Sequence, residues 1–284
     1  MSMTSLGSFT REAIEQLDTA GVDNPAFDAR LLVGQVLGLD RAQLMAQSER
    51  VLTPEEVALL RPFINRRTRR EPVARILGQR EFWSLPFRLN EATLEPRSDS
   101  ETLIEVALKE LQTRKVSSIL DIGTGTGCLL LALLHEVPEA TGLGLDYTMD
   151  VVDQARANAE DLNLSDRATF RMSHWLDNLQ YEHYDLIISN PPYIEHNVIP
   201  TLMPEVRNHD PLRALDGGAD GLDAYRSLVP QLSKHLKSGG FTIFEVGQGQ
   251  AAQVADLFRQ NGFAQVTTHM DHGGVERCVK ASIA

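Results

Sequence analysis

From Ser118 to His135 the chain runs through an apolar segment, a stretch with glycine at every second position, and a second apolar segment of helical composition. Ser118-Ile119-Leu120-Asp121-Ile122 is short and apolar enough for a strand buried on both faces. Gly123-Thr124-Gly125-Thr126-Gly127 then lets the chain turn tightly, and no Cβ blocks a ligand from the backbone. Cys128 to His135 continues as a helix whose first N–H groups are unpaired and point back at the turn. The same alternation of strand and helix patterns continues to Gly247, with further strands at Gln265 to His269 and Val275 to Ala281. This fold class is α/β, a mainly parallel sheet with helices on both faces. The turn lacks the Lys-Ser/Thr ending of a phosphate-binding loop. Its glycines are also spaced unlike the dinucleotide fingerprint, so neither ATP nor NAD is the natural occupant.

Two further motifs sit at strand ends. Thr141-Gly142-Leu143-Gly144-Leu145-Asp146 closes on a carboxylate about twenty residues beyond the glycines, where an acid can accept from both hydroxyls of a ribose. The alternative for Asp146 is to cap the helix predicted over Met149 to Leu162. Asp185 to Ser189 reads as a buried parallel strand and delivers Asn190-Pro191-Pro192-Tyr193 to its carboxyl end. There the Asn190 side-chain carbonyl and the backbone carbonyl beside it can both accept from one NH2, while the prolines stiffen the turn and have no N–H to donate. The tetrad is a socket for a planar amine or amide nitrogen, although Asn-Pro is also an ordinary strand-ending turn.

Taken together these pieces resemble the S-adenosylmethionine-dependent methyltransferases of the Rossmann-like class I, and the tetrad resembles those that methylate a planar nitrogen. Arg80 to Arg88, the Glu95-Pro96-Arg97 turn with Glu101-Thr102-Leu103 behind it, and His174-Trp175 are similar to the HemK-type (PrmC-like) peptide chain release factor N5-glutamine methyltransferases. The resemblance spans nearly the whole chain. It implies a seven-stranded sheet with one antiparallel strand, a small N-terminal helical bundle and a linking β-hairpin. It implies S-adenosyl-L-methionine as cofactor, S-adenosyl-L-homocysteine as product, and the glutamine of a Gly-Gly-Gln motif in class I release factors as substrate. It assigns Gly123, Thr124, Gly125, Thr126, Gly127, Asp146, Trp175 and Asn190 to the cofactor, with Trp175 on the adenine side. Asn190, Pro191 and Tyr193 become the catalytic set, and Asn190, Pro191, Pro192 and Tyr193 meet the substrate. Two departures stand out. Ser98-Asp99-Ser100 replaces the family's Pro-Glu-Thr, and can cap the same helix with its own oxygens. His174 replaces an Asp, and accepts a hydrogen bond in only one neutral tautomer.

The charge distribution narrows the partners. The formal net charge is -12, and nearly all of it falls after residue 100, where 14 Lys+Arg face 25 Asp+Glu. Such a surface repels a phosphate backbone and disfavours duplex nucleic acid, but suits a basic protein. No apolar stretch reaches the roughly twenty residues of a membrane span, and Arg11, Glu12, Glu15 and Asp18 interrupt any secretory core. A cytoplasmic location is expected. Cys128 and Cys278 are too few for a disulfide framework and read as packed thiols, and His269 and His272 lack zinc spacing, so no metal is expected.

Residues 5 to about 70 carry helical spacing, with turns at Gly21 and Gly38. Thr53, Pro54 and Glu56 form a capping box for the last of these helices. Arg80 to Leu89 reads as the hairpin, and Asp99 to Leu111 as an amphipathic helix. The expected division is 1–75 helical bundle for substrate docking, 76–98 hairpin linker and 99–284 methyltransferase domain. Ile194 to Asp223, directly after the tetrad and too long for an idle connection, reads as a substrate-facing loop with short helical turns. Arg66, Arg67, Arg69, Arg70 and Arg75 read as a solvated helix face or an interdomain contact. Three other activities share these features: glutamine methylation of a large-subunit ribosomal protein, methylation of an exocyclic nucleobase amine, and a non-catalytic binding module that keeps the fold. The acidic second half speaks against the nucleobase, and the intact motifs against the module.

Overall fold

Local sequence signals set the helix boundaries of the N-terminal third. In this computed structural model, which describes residues 4–180 and 182–283, they give α1 (Leu6–Thr19), α2 (Pro25–Leu37), α3 (Arg41–Ala46), α4 (Pro54–Thr68) and α5 (Val73–Leu77). The Thr53 hydroxyl accepts from the Glu56 N–H at 3.2 Å, while the Glu56 carboxylate accepts from the Thr53 N–H at 2.9 Å, completing the capping box at α4. Gly38 ends α2 in the left-handed conformation at φ 66°, which a side chain would resist. Leu6, Phe9, Leu17, Leu32, Leu60 and Ile64 are buried in one cluster, the core of this unit.

A distant piece of chain belongs to the same unit: Met203–His209, carrying the short helix Pro204–Arg207 (α9), groups with the residues up to Gly78. Glu205 accepts from Arg67 at 3.0 Å and from Arg70 at 2.8 Å, and Arg67 also donates to Asp28 at 2.8 Å. Arg66 chelates Glu71 and donates to the carbonyls of Arg75 and Ile76. The solvated-face reading of this arginine cluster is therefore corrected. Arg67 is buried, Arg66, Arg70 and Arg75 are half-buried, and Arg69 alone of the five is exposed. Arg66, Arg67 and Arg70 spend their guanidinium groups on internal carboxylates and carbonyls, a pattern that sequence spacing does not encode.

The second unit comprises Gln79–Leu202 and the residues from Asp210 onward. It opens with the hairpin β1 (Gln79–Phe82) and β2 (Leu85–Arg88). The hairpin is more than a spacer between domains. Phe82 and Phe87 are buried in the core of the sheet unit, and Asn158 bonds both the N–H and the C=O of Arg88. Then follow α6 (Glu101–Leu111), β3 (Ser118–Ile122), α7 (Cys128–Glu136), β4 (Thr141–Asp146), α8 (Met149–Asp161), β5 (Ala168–Met172) and β6 (Tyr184–Ser189). The remainder is α10 (Leu212–Leu215), α11 (Asp223–Leu232), β7 (Leu236–Glu245), α12 (Ala251–Gln260), β8 (Gln265–Met270) and β9 (Glu276–Ser282).

The seven strands pair in the order β5-β4-β3-β6-β7-β9-β8, all parallel except β9. Successive residues of a strand face opposite layers, so Leu186 and Ile188 enter one core while Ile187 enters the other. All six residues from Leu129 to Leu134 are buried, so α7 is an interior helix with no polar face. Gly142 admits it closely, since a Cβ there would stand 2.3 Å from Leu130, while a Cβ on Gly144 would stand 2.5 Å from Phe170 of β5. Cys278 is buried and Cys128 half-buried, both as free thiols.

Candidate active site

Register decides where the functional residues meet. Ile122 pairs with Leu145 on one side and Ser189 on the other, Asp146 pairs with Met172, and Ser189 with Phe244. Gly123, Asp146, Ser173, Asn190 and Glu245 thus leave the sheet at nearly one level along its carboxyl edge. The chain also reverses its direction of travel there, since β4 and β5 lie to one side of β3 and β6 to the other. Such a switch point opens a crevice in an α/β sheet. A cavity of about 330 Å³ occupies it, lined by Gly123 to Thr126, Asp146, His174, Trp175, Asn190, Pro192 and Arg213 among others.

The glycine turn is built as its spacing requires. Gly123, Gly125 and Gly127 have φ of 73°, 55° and 82°, a region that L side chains avoid. Asp146 pins this turn, its Oδ2 accepting from the Gly125 N–H at 2.9 Å and its Oδ1 from the Tyr147 N–H at 2.7 Å. Each oxygen keeps a lone pair for a ligand hydroxyl. Asp146 is not spent as a helix cap, because α8 begins after Thr148 and no side chain caps it. Beneath the turn, Asp121 is fully buried. Its Oδ2 accepts from the Thr124 hydroxyl at 2.6 Å, and its Oδ1 has no hydrogen-bond partner. Burial pushes its carboxyl up to about 7, against the Thr124 hydrogen bond and with the charge of Asp146 adding to the rise.

Trp175 follows from register too, since the Ser173 N–H donates to the Asp146 carbonyl at 2.7 Å and hands the chain to the cavity wall. Its backbone has φ 48°, and its ring lies 3.9 Å from where a Cβ on Gly123 would stand. His174 is exposed and lies 3.1 Å through Nδ1 from Asp177 Oδ2.

Within the tetrad, Asn190 and Pro192 line the cavity, whereas Pro191 and Tyr193 are not among the residues that do. The Asn190 Nδ2 donates to the Ser100 hydroxyl at 3.1 Å, which turns its Oδ1 away from that contact. Tyr193 donates its hydroxyl to Glu245 Oε1 at 3.1 Å, and its carbonyl accepts from Gln250 Nε2 at 2.9 Å. Burial, and after it the charge of Glu245, raises the Tyr193 phenol well above its ordinary range, so it stays a neutral donor. The segment after the tetrad contains the expected helical turns, and Arg213 and Ala214 of α10 reach the cavity.

Sequence reasoning passed over Asp121, Asn158 and Glu245, and gave Ser100 only a capping role that its hydroxyl does not take, since no side chain caps α6. The first left a signal, a carboxylate inside an apolar strand directly before the glycines. Asn158, Glu245 and the true partner of Ser100 left none, because each contact joins residues more than thirty apart.

Residues 9–78 match the family described as PrmC N-terminal domain, and residues 99–205 match the methyltransferase small domain. A protein of Bradyrhizobium diazoefficiens named release factor glutamine methyltransferase is 46% identical over 98% of this chain and 94% of its own length. One of the same name from Caulobacter vibrioides is 40% identical over 98% and 96%. The chain belongs to the release factor glutamine methyltransferase family. Among solved structures, the hMettl16 catalytic domain in complex with a 3′UTR hairpin has a TM-score of 0.60 at 18% identity, covering 75% of this chain and 81% of that one. A methyltransferase from Pyrococcus furiosus has a TM-score of 0.51 at 16% identity, covering 76% and 97%. Both share the Rossmann-like methyltransferase fold. The site also fits the cofactor that a methyltransferase of this family uses, S-adenosylmethionine. Its glycine turn leaves the backbone open to a ligand, Asp146 keeps lone pairs for ligand hydroxyls, and Asp121, buried beneath that turn with one oxygen unpartnered, would be drawn toward its charged form by a cation bound above it. No described helix is long and apolar enough to cross a membrane.

Proposed function

We propose that this enzyme methylates the side-chain amide nitrogen of the glutamine in the Gly-Gly-Gln motif of class I release factors, with S-adenosylmethionine as donor. The observation that carries the proposal is the common level at which the glycine turn, Asp146 and Asn190 leave neighbouring strands. Gly123 to Gly127 would hold the donor by backbone, Asp146 its ribose hydroxyls, and Trp175 its adenine side. The bound sulfonium supplies an electrophilic methyl group.

An amide nitrogen is a weak nucleophile because its lone pair is delocalised into the carbonyl. Asn190 Oδ1 and the Pro191 carbonyl accept the two amide hydrogens, which orients the nitrogen and stabilises positive charge growing on it. Pro192 stiffens this edge of the cavity. Tyr193, held by Glu245 and Gln250, supplies a flat wall beside the incoming side chain. The methylated nitrogen is acidic enough to lose its proton to water, so no strong base is required.

The reading is tested by incubating the enzyme with labelled S-adenosylmethionine and a full-length release factor, then locating the methyl group by mass spectrometry. Label on the motif glutamine, and a loss of about a hundredfold or more in single-turnover rate for Asn190→Ala with cofactor binding retained, are expected. Label on a nucleobase or a ribosomal protein instead, or an undiminished rate in the variant, refutes it.

A further inference from the structure

Glu245 ends β7 as a buried carboxylate that the transfer chemistry itself does not use. Its Oε2 accepts from the Ser100 hydroxyl and its Oε1 from the Tyr193 hydroxyl, and its backbone carbonyl accepts from the Tyr225 hydroxyl at 2.8 Å. The charges around it are Arg277 and Arg97. Burial raises the Glu245 carboxyl above its ordinary range, and the Ser100 hydrogen bond, the charge of Arg277, the Tyr193 hydrogen bond and the charge of Arg97 oppose that rise, although Arg277 is itself paired with Asp271 and Asp99, and Arg97 with Asp210.

We infer that Glu245 and Ser100 are positioning residues that decide which end of the Asn190 amide faces the substrate. The argument is one of hydrogen-bond direction. The Ser100 hydroxyl gives Glu245 Oε2 the single proton it owns. The Ser100 oxygen is then left with lone pairs alone and calls for a donor, which Asn190 supplies through Nδ2 at 3.1 Å. The amide carbonyl is thereby turned to the side where an NH2 arrives. Reversal of the amide would present an NH2 to an NH2 and close the socket. The same Glu245 side chain accepts from Tyr193, so one buried group orders the first and last residues of the tetrad together. A site with no such relay would leave the two amide orientations to compete, because the oxygen and nitrogen ends of Asn differ little in shape.

This inference rests on the reading of Asn190 as the acceptor of the substrate amide, and the test separates the two. Ser100→Ala, Ser100→Thr, Glu245→Gln and Asn190→Ala are measured in single-turnover methylation of the full-length release factor, with isothermal titration of S-adenosylmethionine alongside. Ser100→Ala removes the directing oxygen and should lower the maximal rate about tenfold, with KM and cofactor affinity held, the scale of one lost hydrogen bond that acts on the reacting geometry. Ser100→Thr restores the hydroxyl and should recover the rate. Glu245→Gln offers one accepting end to two hydroxyls and should lower the rate similarly. The double variant Ser100→Ala/Glu245→Gln should be no worse than the poorer single, since both break one relay.

A Ser100→Ala enzyme with the parental rate, a defect expressed in cofactor affinity alone, or multiplicative losses in the double variant overturns the inference. Should Glu245→Gln fail to fold, the Ser100 pair decides the matter by itself. If Asn190→Ala loses its rate while the other variants keep theirs, only the relay is refuted. If Asn190→Ala keeps its rate, the acceptor reading falls first.

Discussion

Asp121 is ordinary in its strand and extraordinary in its charge. Replacing it by asparagine keeps the shape and the acceptor for Thr124 but removes an ionisable group that sits buried with one oxygen unpartnered. Its carboxyl is pushed from 3.8 up to about 7 by burial, with Asp146 contributing. The sign follows from that rise. The folded apo enzyme disfavours the ionised form, so its stability falls as pH climbs from about 3.8 to about 7, by about 4 kcal/mol in all. Asp121→Asn should therefore unfold at higher denaturant than the parent at pH 8, and the gap should close toward pH 4. Cofactor binding should move oppositely. A cationic ligand favours the ionised carboxylate, so the parental affinity should weaken by about tenfold between pH 8 and pH 6, while the variant binds more weakly at pH 8 and shows a flat profile. Isothermal titration across that range and urea unfolding at both ends measure the two halves. A parental affinity independent of pH, together with a variant no more stable than the parent at pH 8, would refute the reasoning.

Arg67→Ala leaves Asp28 without its cation while Arg70 still holds Glu205, and should destabilise the helical unit by about 3 kcal/mol, the low end for removing one member of a buried charge cluster. An unshifted urea midpoint for that unit refutes the clamp. Asp185 behaves in the opposite sense to Asp121. Burial alone would raise its carboxyl, but the Ser117 N–H, Lys237 and the hydroxyls of Ser117 and Ser118 outweigh it and bring it down to about 2. The resulting stability, about 2 kcal/mol, is present above pH 3.8 and lost as pH falls through 2. Asp185→Asn should lose that amount at pH 7 and flatten acid unfolding between pH 4 and 2, and unfolding curves with the parental acid slope would contradict it.

Much of the site was visible in one dimension because it is local. The glycine turn needs nothing beyond Gly123, Gly125 and Gly127 to adopt positive φ, and the capping box of Thr53 and Glu56 closes within four residues. Asn190 and Pro191 read as a socket because both oxygens come from adjacent residues. The arginine cluster reads as a solvated face or an interdomain contact for the opposite reason: the carboxylate that binds Arg67 and Arg70 lies more than 130 residues further along the chain.

The order of strands, and with it the meeting of Gly123, Asp146, Asn190 and Glu245 at one edge, is a matter of non-local pairing that composition and period leave open. Local pattern marked the strands that end at Ile122, Asp146 and Ser189, because alternation and glycine act over a few residues, but it set no bounds for Ala168–Met172 or Leu236–Glu245. Tertiary structure alone decided that Ser100 and Glu245 stand behind Asn190, since the direction of a hydrogen bond depends on which partners are brought within 3 Å or so of each other. The sequence therefore determined what kind of chemistry this edge can hold, and packing determined which way its amide faces.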